Sequence, residues 1–190
     1  MLYTIETITE CIGARRVGTH EATIDWLLTD SRSLSFPEET LFFALTTKRN
    51  KGARYIPELY ERGVRNFVVT QEEFNELTVD NGQLTIAMQH AGSAATVNCQ
   101  LSTVNFLIVG NPLKALQKLA ELHRERFQIP VIGITGSNGK TIVKEWLHQL
   151  LSPDRVIVRS PRSYNSQIGV PLSVWQMNEE AELAIFEAGI

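Results

Sequence analysis

Apolar positions along this chain follow two periods, and the switches between them outline its elements. Helical spacing predicts a short helix around Glu6 to Ile12 and another at about Tyr55 to Arg62, ending at Gly63. From Asn111 to Phe127, Leu113, Leu116, Leu119, Ala120 and Leu122 share one face, and Pro112 suits the first turn of that helix. Ile142, Val143, Trp146, Leu147, Leu150 and Leu151 recur the same way, predicting an amphipathic helix packed on a sheet. Short apolar runs predict strands at Thr23 to Leu28, Leu41 to Leu45, Asn66 to Thr70, Arg155 to Arg159 and Leu183 to Phe186. Val131, Ile132 and Ile134 read as a further, buried strand. Strands alternating with helices define an α/β protein.

From Glu76 to Thr103 single apolar residues are scattered among Thr, Asn, Gln, Ser and Gly, with no settled period. Strand-like pieces at Leu84 to Met88 and Thr96 to Leu101 fit a peripheral hairpin, and Gly92 and Ser93 fit a loop equally well. The chain divides near Phe127-Gln128-Ile129-Pro130, where the long helix passes into the next strand. Residues 1–110 are therefore expected to form a small α/β domain, 111–129 a connecting helix and 130–190 the first part of a parallel-sheet domain.

Composition narrows the function classes. With 43% hydrophobic and 21% charged residues, the chain has the make-up of a soluble globular protein with apolar material for a core. A net charge of −3 argues against a general nucleic-acid binder. No apolar run has the length of a membrane span, and the first residues lack the regions of a signal peptide, so the expected location is the cytoplasm. Cys11 and Cys99 make neither a disulfide framework nor a metal spacing. His20, His90, His123 and His148 show no metal spacing either; Trp26, Trp146 and Trp175 are expected to pack, and Lys48-Arg49-Asn50-Lys51 to be a solvated loop.

The candidate chemistry begins where the Val131 strand turns into Thr135-Gly136-Ser137-Asn138-Gly139-Lys140-Thr141. Glycines in such a turn let successive backbone N–H groups point at phosphate oxygens, and the N-terminus of the following helix adds a favourable field. Lys140 would then lie along the terminal phosphates, and the Thr141 hydroxyl would reach a magnesium ion. The common pattern has a Gly separated by four residues from the Gly-Lys-Thr triplet; here that position is Ile134. Gly136-x-x-Gly139-Lys140-Thr141 remains, and taken alone it could be a strand-to-helix turn that binds nothing. Glu187 ends the last apolar strand, a place where a carboxylate either holds metal near a nucleotide or is simply solvated.

Together these residues carry a resemblance. Gly133 to Thr141, then Lys144-Glu145, Tyr164-Asn165, Ile168-Gly169-Val170-Pro171 and Glu187-Ala188-Gly189 resemble the central ATP-binding domain of the Mur ligases. Thr29-Asp30-Ser31-Arg32 with Leu41-Phe42-Phe43-Ala44-Leu45 resembles the UDP-binding amino-terminal domain of that family. Lys144-Glu145 and the helix from Leu113 to Ala120 with His123-Arg124 are most similar to the members that add D-alanyl-D-alanine to UDP-N-acetylmuramoyl-tripeptide.

The resemblance implies roles position by position. Asp30, Ser31 and Arg32 would meet the UDP end of a UDP-N-acetylmuramoyl-peptide. Gly136, Ser137, Asn138, Gly139, Lys140, Thr141 and Asn165 would bind ATP, with Lys140 the catalytic charge on the phosphates; Thr141 and Glu187 would hold Mg2+. The implied reaction transfers the γ-phosphoryl group of ATP to a carboxylate, and an amine then attacks the acyl phosphate. The chain departs from the family at Lys51-Gly52-Ala53-Arg54-Tyr55, where Asp-Gly-His is usual before an aromatic residue, and at Ser166, where a second asparagine is frequent. Ile190 falls just after the Glu187 strand, so the resemblance implies a fragment. It would lack the family's modified lysine and the carboxy-terminal domain that receives D-alanyl-D-alanine, and would show no ligase turnover alone. Two other classes stay open: a folylpolyglutamate synthase-like or other Mur-type ligase, and a non-catalytic nucleotide-binding module. Neither nucleic acid nor membrane insertion is expected.

Overall fold

The computed structural model describes residues 2–47, 51–76, 78–80, 83–90 and 93–189, with side chains outside 78–99. The basic run at 48–50, Gly92 and the side chains of His90 and Cys99 thus lie outside what is described. The chain divides into two compact units, Met1–Ala115 and Leu116–Ile190.

The first unit is built on a five-stranded sheet. Its strands are β2 (Arg15–Val17), β4 (Trp26–Leu28), β5 (Thr40–Phe43), β6 (Asn66–Val69) and β10 (Asn105–Ile108), in the order β2-β10-β6-β5-β4. All neighbours are parallel except β2, which runs antiparallel to β10. The three central strands are buried along their whole length, which is why they read as continuous apolar runs and not as alternation. Phe67 stacks on Phe106 with centroids 5.4 Å apart, and Phe42 meets Phe67 edge-on. Ile56 and Leu59 of α2 (Ile56–Glu61) complete that core.

A two-stranded piece, β1 (Tyr3–Thr4) with β3 (Thr23–Ile24), lies beside α1 (Ile5–Ile12). Thr4 caps this helix by accepting from the Thr7 N–H, and Gly13 ends it at φ 64°. The expected strand from Thr23 to Leu28 is therefore two strands, β3 and β4. The break falls at Asp25, whose N–H turns to the Glu39 carbonyl. The helix expected from Tyr55 begins earlier, as a 3-10 turn over Gly52–Tyr55. Gly52 is required there, because a Cβ would stand 2.5 Å from the Leu45 nitrogen.

The polar segment forms β7 (Thr78–Asp80), β8 (Gln83–His90) and β9 (Ser93–Gln100), with β8 and β9 antiparallel in register Ile86 to Val97. The strand-like pieces thus pair as a hairpin, and Ser93 opens β9 opposite His90. Before it, α3 (Gln71–Asn75) starts with a capping box in which Thr70 and Glu73 exchange hydrogen bonds.

The helix α4 (Pro112–Glu125) runs across the division between the units. The second unit has a parallel sheet ordered β11-β13-β12, from β11 (Val131–Ile134), β12 (Ile157–Arg159) and β13 (Leu183–Glu187). It also holds α5 (Lys140–Leu151) and α6 (Gly169–Val174). Phe127, Met177, Ala184 and Phe186 form its core. His123 is buried beside them, its Nε2 2.9 Å from the Met177 carbonyl and its ring 4.6 Å from Trp175.

Three expectations are corrected here. The strand before the glycine turn is not buried: among the described residues β11 pairs with β13 alone, and its side chains alternate between half-buried and exposed. On α5 the apolar stripe faces outward, with Trp146 69% and Leu150 71% exposed; the helix turns Lys144 to the sheet instead. Of the three tryptophans expected to pack, Trp175 is buried and Trp26 packs on Phe36 with centroids 5.1 Å apart, whereas Trp146 is exposed.

Candidate functional site

The turn between β11 and α5 has the backbone that a phosphate loop requires. Gly136 has φ 136° and Gly139 φ 78°, conformations that a side chain would strain. Gly139 stands as the N-cap of α5 in the left-handed region with no side-chain cap bond. The first-turn amides of a twelve-residue helix are thus directed toward the mouth of the turn, where the helix dipole favours an anion. Ser137 and Asn138 are exposed on its rim. Lys140 Nζ donates to the Gly136 carbonyl at 2.5 Å, which holds the ammonium over the loop.

Thr141, one residue into the helix, donates its hydroxyl to Glu187 Oε2 at 3.1 Å. Glu187 reaches that point because β13 runs parallel to β11 with Ile134 opposite it. Its backbone N–H donates to the Ser160 hydroxyl at 3.0 Å. The carboxylate is fully buried, which removes the solvated-acid alternative. Its other oxygen, Oε1, lies 2.8 Å from Lys144 Nζ but has no partner in hydrogen-bond geometry. Lys144, also fully buried, donates to the carbonyls of Ser160 and Arg162.

Asn165 is brought to the same end of the sheet: its carbonyl accepts the Gly189 N–H at 2.6 Å, two residues beyond Glu187. Gly169 lets the Tyr164-Asn165 turn lie against α6, since a Cβ there would be 2.9 Å from the Tyr164 backbone. Glycine turn, Thr141, Glu187 and Asn165 thus converge, although the last two lie 22 positions apart in sequence. Among the described residues no group of three or more His, Cys, Asp and Glu side chains forms a metal cluster.

In the first unit, Asp30-Ser31-Arg32 follows β4 at the carboxyl ends of the parallel strands, the end where open α/β sheets gather ligands. Asp30 Oδ1 accepts the Arg32 N–H at 3.1 Å, capping a 3-10 turn over Ser31–Ser33. The Arg32 guanidinium bonds both oxygens of that carboxylate. That bonding holds the Asp30 carboxyl below its ordinary range, and Asp30 in return raises Arg32. Ser31 is nearly buried, and its carbonyl accepts Arg62 Nη1 at 2.7 Å. From the neighbouring loop after β5, Thr46 donates to Glu73 Oε1 at 2.6 Å, and Lys51 pairs with Glu76 at 3.0 Å.

Sequence reasoning singled out every residue of the glycine turn and missed the structural role of Lys144, Ser160 and Gly169. Lys144 lies off the apolar stripe of α5, on the face that periodicity marks as polar, so neither it nor Ser160 carried a signal of burial.

The glycine turn, the helix it opens and the parallel sheet behind it form one α/β unit. Residues 134–190 match the Mur ligase middle domain. It is 30% identical over 175 residues to the UDP-N-acetylmuramoyl-tripeptide--D-alanyl-D-alanine ligase of Borreliella burgdorferi, covering 90% of this chain and 33% of that protein. To the ligase of the same name from Bacillus subtilis it is 29% identical over 189 residues, 98% of this chain and 36% of the relative. The chain spans about a third of the length of these curated relatives. A crystal structure of MurF from Acinetobacter baumannii superposes with a TM-score of 0.76 at 21% identity, over 100% of this chain and 36% of that one. MurF from Thermotoga maritima in complex with ADP gives 0.60 at 23% identity, over 86% and 31%. Among the described residues no helix is long and apolar enough to cross a membrane.

Proposed function

We propose that the second unit binds ATP through Gly136 to Thr141, and that the first unit binds the UDP end of a UDP-N-acetylmuramoyl-peptide at Asp30, Ser31 and Arg32. The protein would form an amide bond in peptidoglycan precursor synthesis, adding D-alanyl-D-alanine to the tripeptide. One observation carries the reading: a glycine turn at a helix N-terminus whose Thr141 hydroxyl meets a buried carboxylate.

The donors fit magnesium. Thr141 and Glu187 bring two hard oxygen ligands together, Glu187 Oε2 meeting the Thr141 hydroxyl while Oε1 stands beside the Lys144 ammonium. The ion would neutralise phosphate charge. Lys140 has reach to leave the Gly136 carbonyl for the γ-phosphate, so the charge that builds on the phosphoryl oxygens meets an ammonium and a helix N-terminus. A carboxylate is a poor electrophile, and phosphorylation by ATP makes it an acyl phosphate that an amine attacks, with phosphate leaving. Asn165, tethered to Gly189, would border the nucleotide. At the other site, Arg32 offers a fork matched to a diphosphate, and its bond to Asp30 holds that fork ready.

Calorimetric titration of the chain with Mg·ADP and with UDP-N-acetylmuramoyl-tripeptide tests both assignments. Lys140→Ala is expected to weaken the first ligand and leave the second unchanged; Ser31→Ala and Arg32→Ala are expected to do the reverse. Nucleotide binding with no affinity for the muramoyl ligand would favour a folylpolyglutamate synthase-like ligase or a non-catalytic module. Absence of both would overturn the reading.

A further inference from the structure

Lys144 is the buried charge that phosphate binding does not explain. Its side chain is 0% exposed, on the face of α5 that meets the sheet. Lysine is almost never fully buried unless paired, and an apolar residue of similar volume generally stabilises such a position at least as well. The contacts of Lys144 indicate what the charge is for. Two of its protons go to backbone carbonyls, those of Ser160 at 2.8 Å and Arg162, in the segment leaving β12. The ammonium is thereby fixed independently of any carboxylate. It then stands 2.8 Å from Glu187 Oε1 and 3.4 Å from Glu145 Oε1, and Glu145 is drawn away by Arg159. With Oε1 held beside the ammonium, Oε2 is the oxygen left to meet the Thr141 hydroxyl.

We propose that Lys144 is a positioning residue of the nucleotide site, setting the rotamer of Glu187 so that its carboxylate and the Thr141 hydroxyl are prearranged for a divalent cation. This rests on the nucleotide reading above. The ammonium takes no part in phosphate contact; it acts through Glu187, and the anchor on Ser160 and Arg162 makes the arrangement rigid. Groups that orient metal-ligating side chains typically alter metal affinity by about 10- to 100-fold when removed.

The test is the gain in ADP affinity on adding Mg2+, measured by calorimetry with Mg2+ and with EDTA in wild type, Lys144→Met, Glu187→Gln and the double variant. Lys144→Met is expected to reduce the gain by about tenfold or more and to leave the affinity in EDTA within about threefold. In the Glu187→Gln background, Lys144→Met is expected to add nothing, because the residue it acts through is already gone. A gain unchanged in Lys144→Met, equal losses with and without Mg2+, or independent multiplying effects would each overturn the proposal. If Lys144→Met alone does not fold, the double variant, which buries no unpaired charge, carries the test: its gain must equal that of Glu187→Gln, and a further loss overturns the proposal. A wild-type chain that binds no ADP would remove the nucleotide reading and this proposal together. ADP binding with an unaltered gain in Lys144→Met would remove this proposal alone.

Discussion

Asn165 owes its place to two residues without side chains. At Gly169 a Cβ would come within 2.9 Å of the Tyr164 Cα and carbonyl carbon, and at Gly189 within 2.6 Å of the Asn165 oxygen. Both neighbours are backbone, which cannot swing aside as a flexible side chain can. Gly169→Ala is expected to destabilise the chain by about 1–3 kcal/mol and to weaken ADP binding, read from urea unfolding and from titration. Asp30 allows a prediction in pH. Arg32 holds its folded-state carboxyl below the ordinary 3.8, so the unfolded chain takes up the proton first as the solution is acidified. The stabilisation is complete above the unfolded value and is lost as pH falls through the folded one. The stability difference between wild type and Asp30→Asn is therefore expected to shrink as unfolding is measured from pH 6 down to pH 3. It should be small throughout, because the carboxylate is 43% exposed and screened by solvent.

Two elements show what periodicity reads and what it does not. The helix α5 was legible as a helix, because Ile142, Val143, Trp146, Leu147, Leu150 and Leu151 keep its period. Which face is buried was not, since an apolar stripe says only that the residues share a side. Strand β10 left little trace: Asn105-Phe106-Leu107-Ile108 is short and follows a polar segment. It nevertheless lies inside the sheet, with Asn105 donating to Asn66 Oδ1 at 2.8 Å and accepting from Arg16. A buried polar pair between strands distant in sequence has no local signature. The energetics should follow burial and not hydropathy. Trp146→Gln and Leu150→Gln are expected to leave unfolding stability within about 0.5 kcal/mol of wild type. Phe106→Ala, which removes the ring stacked on Phe67 and touched edge-on by Phe74, is expected to cost about 3–5 kcal/mol in the same assay.

At the scale of the molecule, each unit places its candidate residues at the carboxyl ends of parallel strands, after β4 in one and after β11 and β13 in the other. Parallel strands feed their helices from that end, so helix N-termini and exit loops collect there and backbone donors face a common opening. Motif order in the sequence made this much legible, because each motif closes a strand. The Lys144 and Glu187 pairing was not legible, since it depends on β13 returning beside β11 after α6. If the two assignments are right, ligands should leave distinct marks on backbone exchange. Hydrogen exchange read by mass spectrometry with Mg·ADP is expected to slow the amides of residues 136–142, at the N-terminus of α5, and of 164–166. UDP-N-acetylmuramoyl-tripeptide is expected to slow those of 30–33, in the 3-10 turn that the Asp30 carboxylate caps. At a ligand concentration of 100 times Kd the bound unit gains about 2.7 kcal/mol against unfolding, enough to slow exchange through global opening about a hundredfold. Protection by ADP at 30–33 in place of 136–142 would reverse the assignment of the two units, since the phosphates of ADP are expected to draw on the amides at the N-terminus of α5.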